Sequence, residues 1–282
     1  MRAYIPLLSR LINEFSDTLP KLTEKAAGCM ARRMTSPLII IPSRMDATRL
    51  PNKPLADICG KPMIARMVER ALKADAGRVV IATDHEDIKA VAEAEGGEAV
   101  LTDPALPSGT DRVFAALSQI DAGGVHDIIV NLQGDMPCFD PAIINMSIEV
   151  LASQPDSDIS TLVAPMHLEE EKQNDAVVKA VVAWSDKPGS EKIGKALYFS
   201  RCCAPTGGPW WHHLGIYAFR RNALETFVAL SPSPLEKSER LEQLRALEAG
   251  MQIGIGKVDA APLGVDTPET LEMARRSFSE IG

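Results

Sequence analysis

Apolar residues follow two different spacings along this chain. Uninterrupted runs such as LIII at 38–41, RVVIA at 78–82 and IIVNL at 128–132 are typical of strands buried on both faces of a sheet. The segments between them, for example 63–74, carry apolar residues at helical spacing. Strands that alternate with helices predict an α/β fold, with a mostly parallel central sheet flanked by helices and joined by right-handed crossovers.

The second half of the chain has a less regular pattern. Residues 160–166 and 176–184 read as strands, and the alternating runs 195–201 and 213–221 predict strands over a sheet edge or a partner surface. Further predictions are one long helix within 231–250, a strand at 256–260 and a last helix within 264–276.

Polar residues follow the strands of the first half at the point where each strand ends. Ser43 and Arg44 follow the first strand, Asp84 the second, and Gln133 and Asp135 the third. The carboxyl ends of parallel strands lie at one edge of the sheet, where ligands bind in open α/β folds. We therefore expect these side chains to line one crevice.

Composition narrows the range of partners. The chain of 282 residues carries a net charge of -8, which argues against nucleic-acid binding. No apolar run approaches the roughly 20 residues of a membrane helix, so we expect no membrane insertion. The five cysteines include no C-x-x-C pair, which indicates reduced thiols and a cytoplasmic location.

Residues 1–34 read as a separate extension that we expect to be poorly ordered, and 35–282 as the folded domain.

A basic loop follows the first strand, with the sequence PSRMDATRLPNKPL. Its three cations are Arg44, Arg49 and Lys53, and its prolines restrict the backbone before any ligand binds. Guanidinium forks and a lysine ammonium suit phosphate oxygens, so the loop is a candidate triphosphate site. The alternative is a solvated loop with scattered cations, and neither a Walker sequence nor G-x-G-x-x-G is present to support nucleotide binding.

Two acidic residues far apart in the sequence, Asp135 and Asp266, are candidate metal ligands. Carboxylates beside a triphosphate would hold Mg²⁺ through oxygen atoms. Asp266 could instead cap the last helix, and Asp135 could be a turn residue. His212 and His213 could bind a metal or act as a base, but the lack of a third ligand at suitable spacing argues against zinc. His85, in TDHED, reads as a helix-start residue rather than a catalyst.

These motifs, in order from about Ser36 to about Arg276, resemble those of the 3-deoxy-manno-octulosonate (Kdo) cytidylyltransferase family. The matching segments are PSRMDATRLPNKPL, ICGKPMI, IATDHEDI, SGTDR, NLQGD, ALYFSR, HLGIY, SPLEKSERLEQLR and GVDTPE. The resemblance implies a Rossmann-like nucleotidyltransferase fold for the domain at 35–282 and a homodimer. It implies the transfer of CMP from CTP to the anomeric C2 hydroxyl of Kdo with Mg²⁺, for lipopolysaccharide synthesis in a Gram-negative cytoplasm.

The resemblance also implies roles for individual residues. The implied catalytic residues are Arg44, Lys53, Asp135 and Asp266, of which Asp135 and Asp266 would bind the metal. The implied nucleotide-binding residues are Ser43, Arg44, Arg49, Lys53, Ser108, Gly109 and Gln133. The implied sugar-binding residues are Gln133, Tyr198, Ser200, Arg201, His213, Gly215, Tyr217, Glu242 and Gln243.

The chain departs from the family pattern at a few positions, and different functions stay open. Ala47 and Asn52 stand where the family usually has Ser and Gly, and Met136 stands where it has Glu. A cytidylyltransferase for a related acidic sugar, such as 8-amino-Kdo or a sialic-type acid, is the main alternative. A non-catalytic nucleotide-sugar-binding protein would be expected to lack the carboxylates or the cations. A glycosyltransferase would need a D-x-D motif, and the one match, at 156–158, reads as a turn.

Overall fold

The computed structural model describes residues 37–46 and 49–281. The extension expected at 1–34 lies outside the described residues. Within them, no helix combines the length and the apolar composition that crossing a membrane would require.

The secondary structure of the described residues alternates between strands and helices through the first half of the domain. The strands are β1 (Leu38–Ser43), β2 (Asp57–Ile58), β3 (Lys61–Pro62), β4 (Arg78–Thr83), β5 (Glu98–Leu101), β6 (Ile128–Leu132), β7 (Ile159–Pro165), β8 (Lys179–Trp184), β9 (Ile193–Ser200), β10 (Trp211–Arg220) and β11 (Ile253–Lys257). The helices are α1 (Met63–Lys73), α2 (Glu86–Ala94), α3 (Gly109–Ile120), α4 (Ala142–Ser153), α5 (Glu169–Gln173), α6 (Arg221–Ala229), α7 (Pro234–Glu239), α8 (Leu244–Glu248) and α9 (Pro268–Ile281). A short 3₁₀ helix spans Lys53–Leu55.

The central sheet is mixed, so the expectation of a mostly parallel sheet is not confirmed. Its order is β5-β4-β1-β6-β10-β7-β11-β9-β8. The block β5-β4-β1-β6 is parallel, as predicted, and β11 is parallel to β7. The remaining pairings in this sheet among the described residues are antiparallel. The loop 185–192 is shorter than the roughly dozen residues of a parallel crossover, and β8 and β9, which it joins, are antiparallel neighbours. β10 is antiparallel to β8 in turn and does not pair with β9.

Two predictions for the second half are wrong. The strand predicted at 213–221 for a sheet edge is part of β10, which lies inside the sheet between β6 and β7. The long helix predicted within 231–250 is broken into α7 and α8, because Arg240 adopts φ 56° in the left-handed region. The carbonyls of Glu239 and Arg240 accept hydrogen bonds from the guanidinium of Arg201 at 2.8 and 3.3 Å. Tertiary contacts therefore replace helix continuation at this point.

The hydrophobic core lies on both faces of the sheet. In β1, Ile39 and Ile41 pack on one face with α1, α2 and α4. Leu38 and Ile40 pack on the opposite face with α3, α6 and α8. This alternation explains why the strand is apolar at every position. A small third cluster joins α9 to the hairpin formed by β2 and β3.

Gly134 follows β6 at a point where two strands approach closely. A Cβ atom at this position would lie 2.8 Å from the carbonyl oxygen of Pro42, at the end of β1. A main-chain atom cannot swing away as a flexible side chain can, so the backbone at the edge of the sheet would have to shift.

We expect Gly134→Ala to lower the free energy of unfolding by about 1–3 kcal/mol, because of this overlap with the backbone. Gly123→Ala is the matched control, since a Cβ atom there meets no atom within 4 Å. Urea denaturation of both variants measures the effect. Equal stabilities of the two variants would contradict the prediction.

Candidate active site

A cavity of about 310 Å³ lies at the carboxyl edge of the parallel strands. Of the side chains predicted to line one crevice here, Ser43, Arg44, Gln133 and Asp135 do line the cavity. Asp84, which follows the neighbouring strand at the same edge, does not line it. The residues that line the cavity include Ser43, Arg44, Arg49, Lys53, Ser108, Gly109, Arg112, Gln133, Asp135 and Asp266. Every nucleotide-binding and catalytic candidate from the sequence is in this set.

The basic loop is shaped by its backbone conformation as well as by its prolines. Asn52 adopts φ 55° and ψ 30° immediately before the 3₁₀ helix that begins at Lys53. Asparagine is one of the few non-glycine residues that enter this left-handed region readily. The replacement of the family's glycine by Asn52 is therefore compatible with the turn that directs Lys53 into the cavity.

Lys53 joins the two candidate metal ligands. Its Nζ atom lies 2.9 Å from Oδ1 of Asp266 and 3.5 Å from Oδ2 of Asp135. Arg49 donates to the second carboxylate oxygen of Asp266 at 2.8 Å. The main chain also connects the two acids, because the amide of Val265 donates to the carbonyl of Asp135 at 2.7 Å. Residues more than a hundred positions apart are thus fixed in one cluster.

The start of α9 shows that Asp266 does not cap this helix. The hydroxyl of Thr267 accepts from the amide of Thr270 at 3.3 Å, as an N-cap residue does. The carboxylate of Asp266 instead contacts Lys53 and Arg49. The interpretation of Asp266 as a helix cap is therefore wrong.

The two carboxyl groups differ electrostatically. Burial raises the pKa of Asp135 above its ordinary value. The positive charge of Lys53 acts to lower this pKa, and the negative charge of Asp266 acts to raise it. Burial also acts to raise the pKa of Asp266, but the hydrogen bonds and charges of Lys53 and Arg49 outweigh it and hold that pKa below its ordinary value. A further cation near Asp135 would therefore stabilise its ionised form.

The side chains of this cluster can supply only part of the coordination shell of a divalent cation, so a bound ligand would have to supply further oxygen atoms. Carboxylate oxygens are the donors that hard cations prefer. Among residues 37–46 and 49–281, no group of three or more His, Cys, Asp or Glu side chains could hold a metal. Asp135 and Asp266 can supply part of a coordination shell, and phosphate oxygens and water would complete it, as is usual for Mg²⁺.

The N-terminus of α3 forms another wall of the cavity. Ser108 caps the helix, and its hydroxyl accepts from the amide of Asp111 at 3.1 Å. Gly109 lies next to the end of β1, where a Cβ atom on it would contact Cγ of Pro42 at 3.4 Å. The positive end of a helix of twelve residues therefore contributes to an electropositive cavity.

Two of the predicted sugar-binding residues lie at the junction of β6 and β10. Gln133 lines the cavity, and its main-chain amide donates to the carbonyl of Gly215 at 3.4 Å. A Cβ atom on Gly215 would come within 3.0 Å of Cγ of Gln133. Gly215 thus leaves room for the side chain of Gln133. The two residues meet because β10 pairs with β6.

A polar cluster connects β6 and α3 to the segment before α8. Thr110 donates to Oε2 of Glu242 at 2.6 Å, and Asn131 donates to Thr110 at 3.3 Å. Three buried atoms of this region have no hydrogen-bond partner among the described residues: Oδ1 of Asn131, Oε1 of Glu242 and Nε2 of Gln243. Because buried polar atoms are rarely left unpaired, this cluster is suited to a polar ligand.

Tyr198, Ser200 and Arg201 are not among the residues that line the cavity. All three contact Glu239, whose carboxylate accepts from the hydroxyl of Ser200 at 3.1 Å and from the amide of Arg201 at 2.9 Å. The guanidinium of Arg201 also donates to the carbonyl of Asp175 at 2.9 Å. The structure therefore engages Arg201 with backbone oxygens, and its contact with a sugar acid stays a prediction.

His213 is a buried, neutral residue of β10. Its ring packs edge-on against Phe199 at 4.8 Å and lies 5.5 Å from the ring of Tyr217. Its Nε2 atom is 3.1 Å from the hydroxyl of Thr161. Burial lowers the pKa of His213 to about 3, so that the ring is uncharged at neutral pH. Burial also raises the pKa of Tyr217, so its hydroxyl stays protonated.

Sequence reasoning missed Arg112 and named Asp84 only as one of the residues at strand ends. Arg112 lines the cavity and pairs with Asp84 at 3.4 Å. Both belong to segments that carry the family resemblance, SGTDR and IATDHEDI, but neither was assigned a role. The sequence indicated only that Asp84 follows a strand and that Arg112 lies near the start of a helix.

Local contacts define the roles of two further polar residues. His85 caps α2, as predicted for a helix-start residue, because its ring accepts from the amide of Asp87. Asp158, in the D-x-D segment, accepts from the amide of Gln252 at 2.8 Å in a turn before β7. This contact confirms the interpretation of the D-x-D segment as a turn.

Solved structures show that the fold is that of the Rossmann-like nucleotidyltransferases. A UDP-glucose pyrophosphorylase complexed with UDP-glucose matches with a TM-score of 0.63 over 87% of this chain and 99% of its own, at 14% identity, which indicates the fold alone. A CMP:2-keto-3-deoxy-manno-octonic acid synthetase complexed with CTP matches with a TM-score of 0.79 at 35% identity, over 88% of this chain and 100% of its own.

Sequence comparison then defines the family within this class. A family model described as cytidylyltransferase matches residues 38–253. A 3-deoxy-manno-octulosonate cytidylyltransferase of Parvibaculum lavamentivorans is 54% identical over 86% of this chain and 93% of its own. A 3-deoxy-manno-octulosonate cytidylyltransferase of Rhodospirillum rubrum is 50% identical over 85% of this chain and 94% of its own length. The chain belongs to the cytidylyltransferase family and is an enzyme of the nucleotidyltransferase class.

We expect Lys53→Met to bind Mn²⁺ at least about tenfold more tightly than the wild type when no nucleotide is present. The substitution removes the cation between Asp135 and Asp266, while Arg49 continues to offset part of the charge of Asp266. Electron paramagnetic resonance of free Mn²⁺ measures the affinity. Lys61→Met, which removes a lysine paired with Glu95, is the control. Equal Mn²⁺ affinities of the wild type and Lys53→Met would contradict the prediction.

The low pKa of His213 makes stability depend on pH. Below about pH 6.5, unfolded chains take up a proton that folded chains exclude down to a pH of about 3. This contribution to stability is therefore complete above the unfolded pKa and is lost as the pH falls, at up to about 1.4 kcal/mol per pH unit.

We expect His213→Asn to lose less stability than the wild type between about pH 6.5 and pH 4, because the variant lacks the group that titrates on unfolding. Urea denaturation at a series of pH values measures the difference in slope. Identical slopes for the wild type and His213→Asn would show that His213 is not excluded from protonation.

Proposed function

We propose that the chain transfers the CMP moiety of CTP to the anomeric C2 hydroxyl of Kdo, releasing diphosphate. The observation that carries the proposal is the convergence of Arg49 and Lys53 with Asp135 and Asp266 in one cavity of a cytidylyltransferase. The identity of 54% to a relative named for this activity supports the choice of sugar.

In this proposal the protein acts on the nucleotide mainly through positioning and charge. Arg44, Arg49 and Lys53 bind the triphosphate, and Lys53 offsets charge on the departing diphosphate. The amides at the start of α3 face the same cavity and favour anionic oxygens. The hydroxyl of Kdo attacks the α-phosphorus in line with the leaving group.

Asp135 and Asp266 would hold Mg²⁺ together with phosphate oxygens of CTP. The bound ion would polarise the α-phosphate and lower the pKa of the attacking hydroxyl. Lys53 would exchange its carboxylate contacts for contacts with phosphate when the ion enters. We assign no side chain as general base, because His213 is buried and bonded to Thr161.

On the sugar side, Oδ1 of Asn131 and Nε2 of Gln243, which have no hydrogen-bond partner among the described residues, offer partners for the hydroxyl groups of Kdo. Oε1 of Glu242, which lies 3.7 Å from Arg245, offers a further acceptor. Arg201 supplies a cation for its carboxylate, after release from backbone oxygens. Tyr198, Ser200, His213, Gly215 and Tyr217 form the surrounding wall in this proposal. A homodimer, a cytoplasmic location and a role in lipopolysaccharide synthesis belong to the same proposal and rest on the family resemblance.

A diphosphate-release assay with CTP and Kdo tests the proposal. We expect release that requires both substrates and Mg²⁺, and we expect Asp135→Asn to reduce it by at least about a thousandfold while the fold is kept, because the variant loses a metal ligand. Asp156→Asn, in the D-x-D segment, is the control and should retain wild-type activity.

Two results would contradict this proposal. Near-normal release by Asp135→Asn would disprove the metal role. Release with a sialic-type acid or 8-amino-Kdo, but not with Kdo, would assign a different acidic sugar.

A further inference from the structure

Three segments of the nucleotide site meet at one buried ion pair. Arg112 projects from α3, and its side chain is 3% exposed. Asp84 follows β4, and its side chain is 12% exposed. Met45 follows Arg44 in the basic loop, and its amide donates to Oδ1 of Asp84 at 3.1 Å. One carboxylate therefore connects the basic loop to the helix whose N-terminus faces the cavity.

Arg112 is held firmly on the side away from the cavity. Its Nη1 atom donates to the hydroxyl of Thr102 at 2.6 Å, and that hydroxyl donates to the carbonyl of Thr83 at 3.1 Å. Its Nη2 atom lies 3.4 Å from Oδ2 of Asp84. The guanidinium is thereby fixed to the ends of β4 and β5.

Asp84 has an electrostatic as well as a geometric role. Among the described residues, the carboxylate that forms an ion pair with Arg112 is that of Asp84. Burial lowers the pKa of Arg112, and the attraction of Asp84 opposes this decrease while the charge of Arg44 adds to it. Two arginines thus lie near each other at the cavity, and the charge of Asp84 supports the ionised form of Arg112.

We propose that Asp84 is a positioning residue for the nucleotide. Its two oxygens hold the basic loop in register with α3, so that Arg44 and the amides at Ser108 and Gly109 face the same triphosphate. Asp84 does not line the cavity, and it acts through Met45 and Arg112. The inference rests on the proposed function, because it assumes that the cavity binds CTP.

Two substitutions separate the geometric contribution from the electrostatic one. Asp84→Ala removes both contacts, and we expect the amide of Met45 to exchange with solvent about tenfold faster and CTP with Mg²⁺ to bind about tenfold more weakly. Asp84→Asn keeps an acceptor for Met45 but loses the charge opposite Arg112. We expect its Met45 exchange to stay within about twofold of the wild type and its CTP affinity to fall by about threefold.

The measurements are hydrogen exchange resolved at Met45, calorimetric titration with CTP and Mg²⁺, and steady-state kinetics. A positioning role raises KM for CTP more than it lowers kcat, whereas a merely structural role would reduce the folded fraction without this split. Glu98→Ala removes the exposed pair with Arg78 in the neighbouring strands, and it should leave all three measurements unchanged.

The outcomes distinguish this inference from the proposed function. If the wild type releases no diphosphate from CTP and Kdo but Asp84→Ala weakens CTP binding and exposes Met45, the positioning role stands and the proposed reaction fails. Wild-type CTP affinity in both Asp84 variants would overturn the inference. If Asp84→Ala does not fold, Asp84→Asn alone decides, and wild-type CTP affinity in that variant would again overturn it.

Discussion

The site depends on one cation placed between two acids. Lys53 reaches Asp266 at 2.9 Å and Asp135 at 3.5 Å, and these three residues come from a loop, a strand end and the start of the last helix. Without that cation, two carboxylates in a narrow cavity would repel each other. Lys53 offsets this repulsion and holds the two carboxylates close together at the edge of the sheet.

The mixed sheet brings residues from distant parts of the sequence to one edge. The residues that follow β1 and β6 in the parallel block β5-β4-β1-β6 line the cavity. The insertion of β10 next to β6 brings Gly215 against Gln133 and places Tyr217 beside Asn131. Antiparallel pairing thus adds side chains from a distant part of the sequence to a crevice that the parallel strands define.

Much of the nucleotide side could be predicted from the sequence, because its signals are local. The pattern of a buried strand followed by polar residues predicted the positions of Ser43, Gln133 and Asp135 at the edge of the sheet. A serine typical of helix N-caps predicted the start of α3. The position of β10 could not be predicted, because its alternating pattern fits an edge strand as well as an interior strand. The break at Arg240 and the role of Asp84 depend on contacts with Arg201 and Arg112, which no local pattern encodes.

The small cluster under α9 has a consequence for motion. Its buried members, Ile58, Met63, Val265, Leu271 and Ala274, belong to neither large core. Local opening costs less free energy where fewer apolar contacts must be broken. The helix that follows Asp266 can therefore separate from the hairpin while both faces of the sheet stay packed. Such a fluctuation would draw Asp266 away from Asp135, so the docking of the C-terminal helix helps to keep both acids within reach of Lys53.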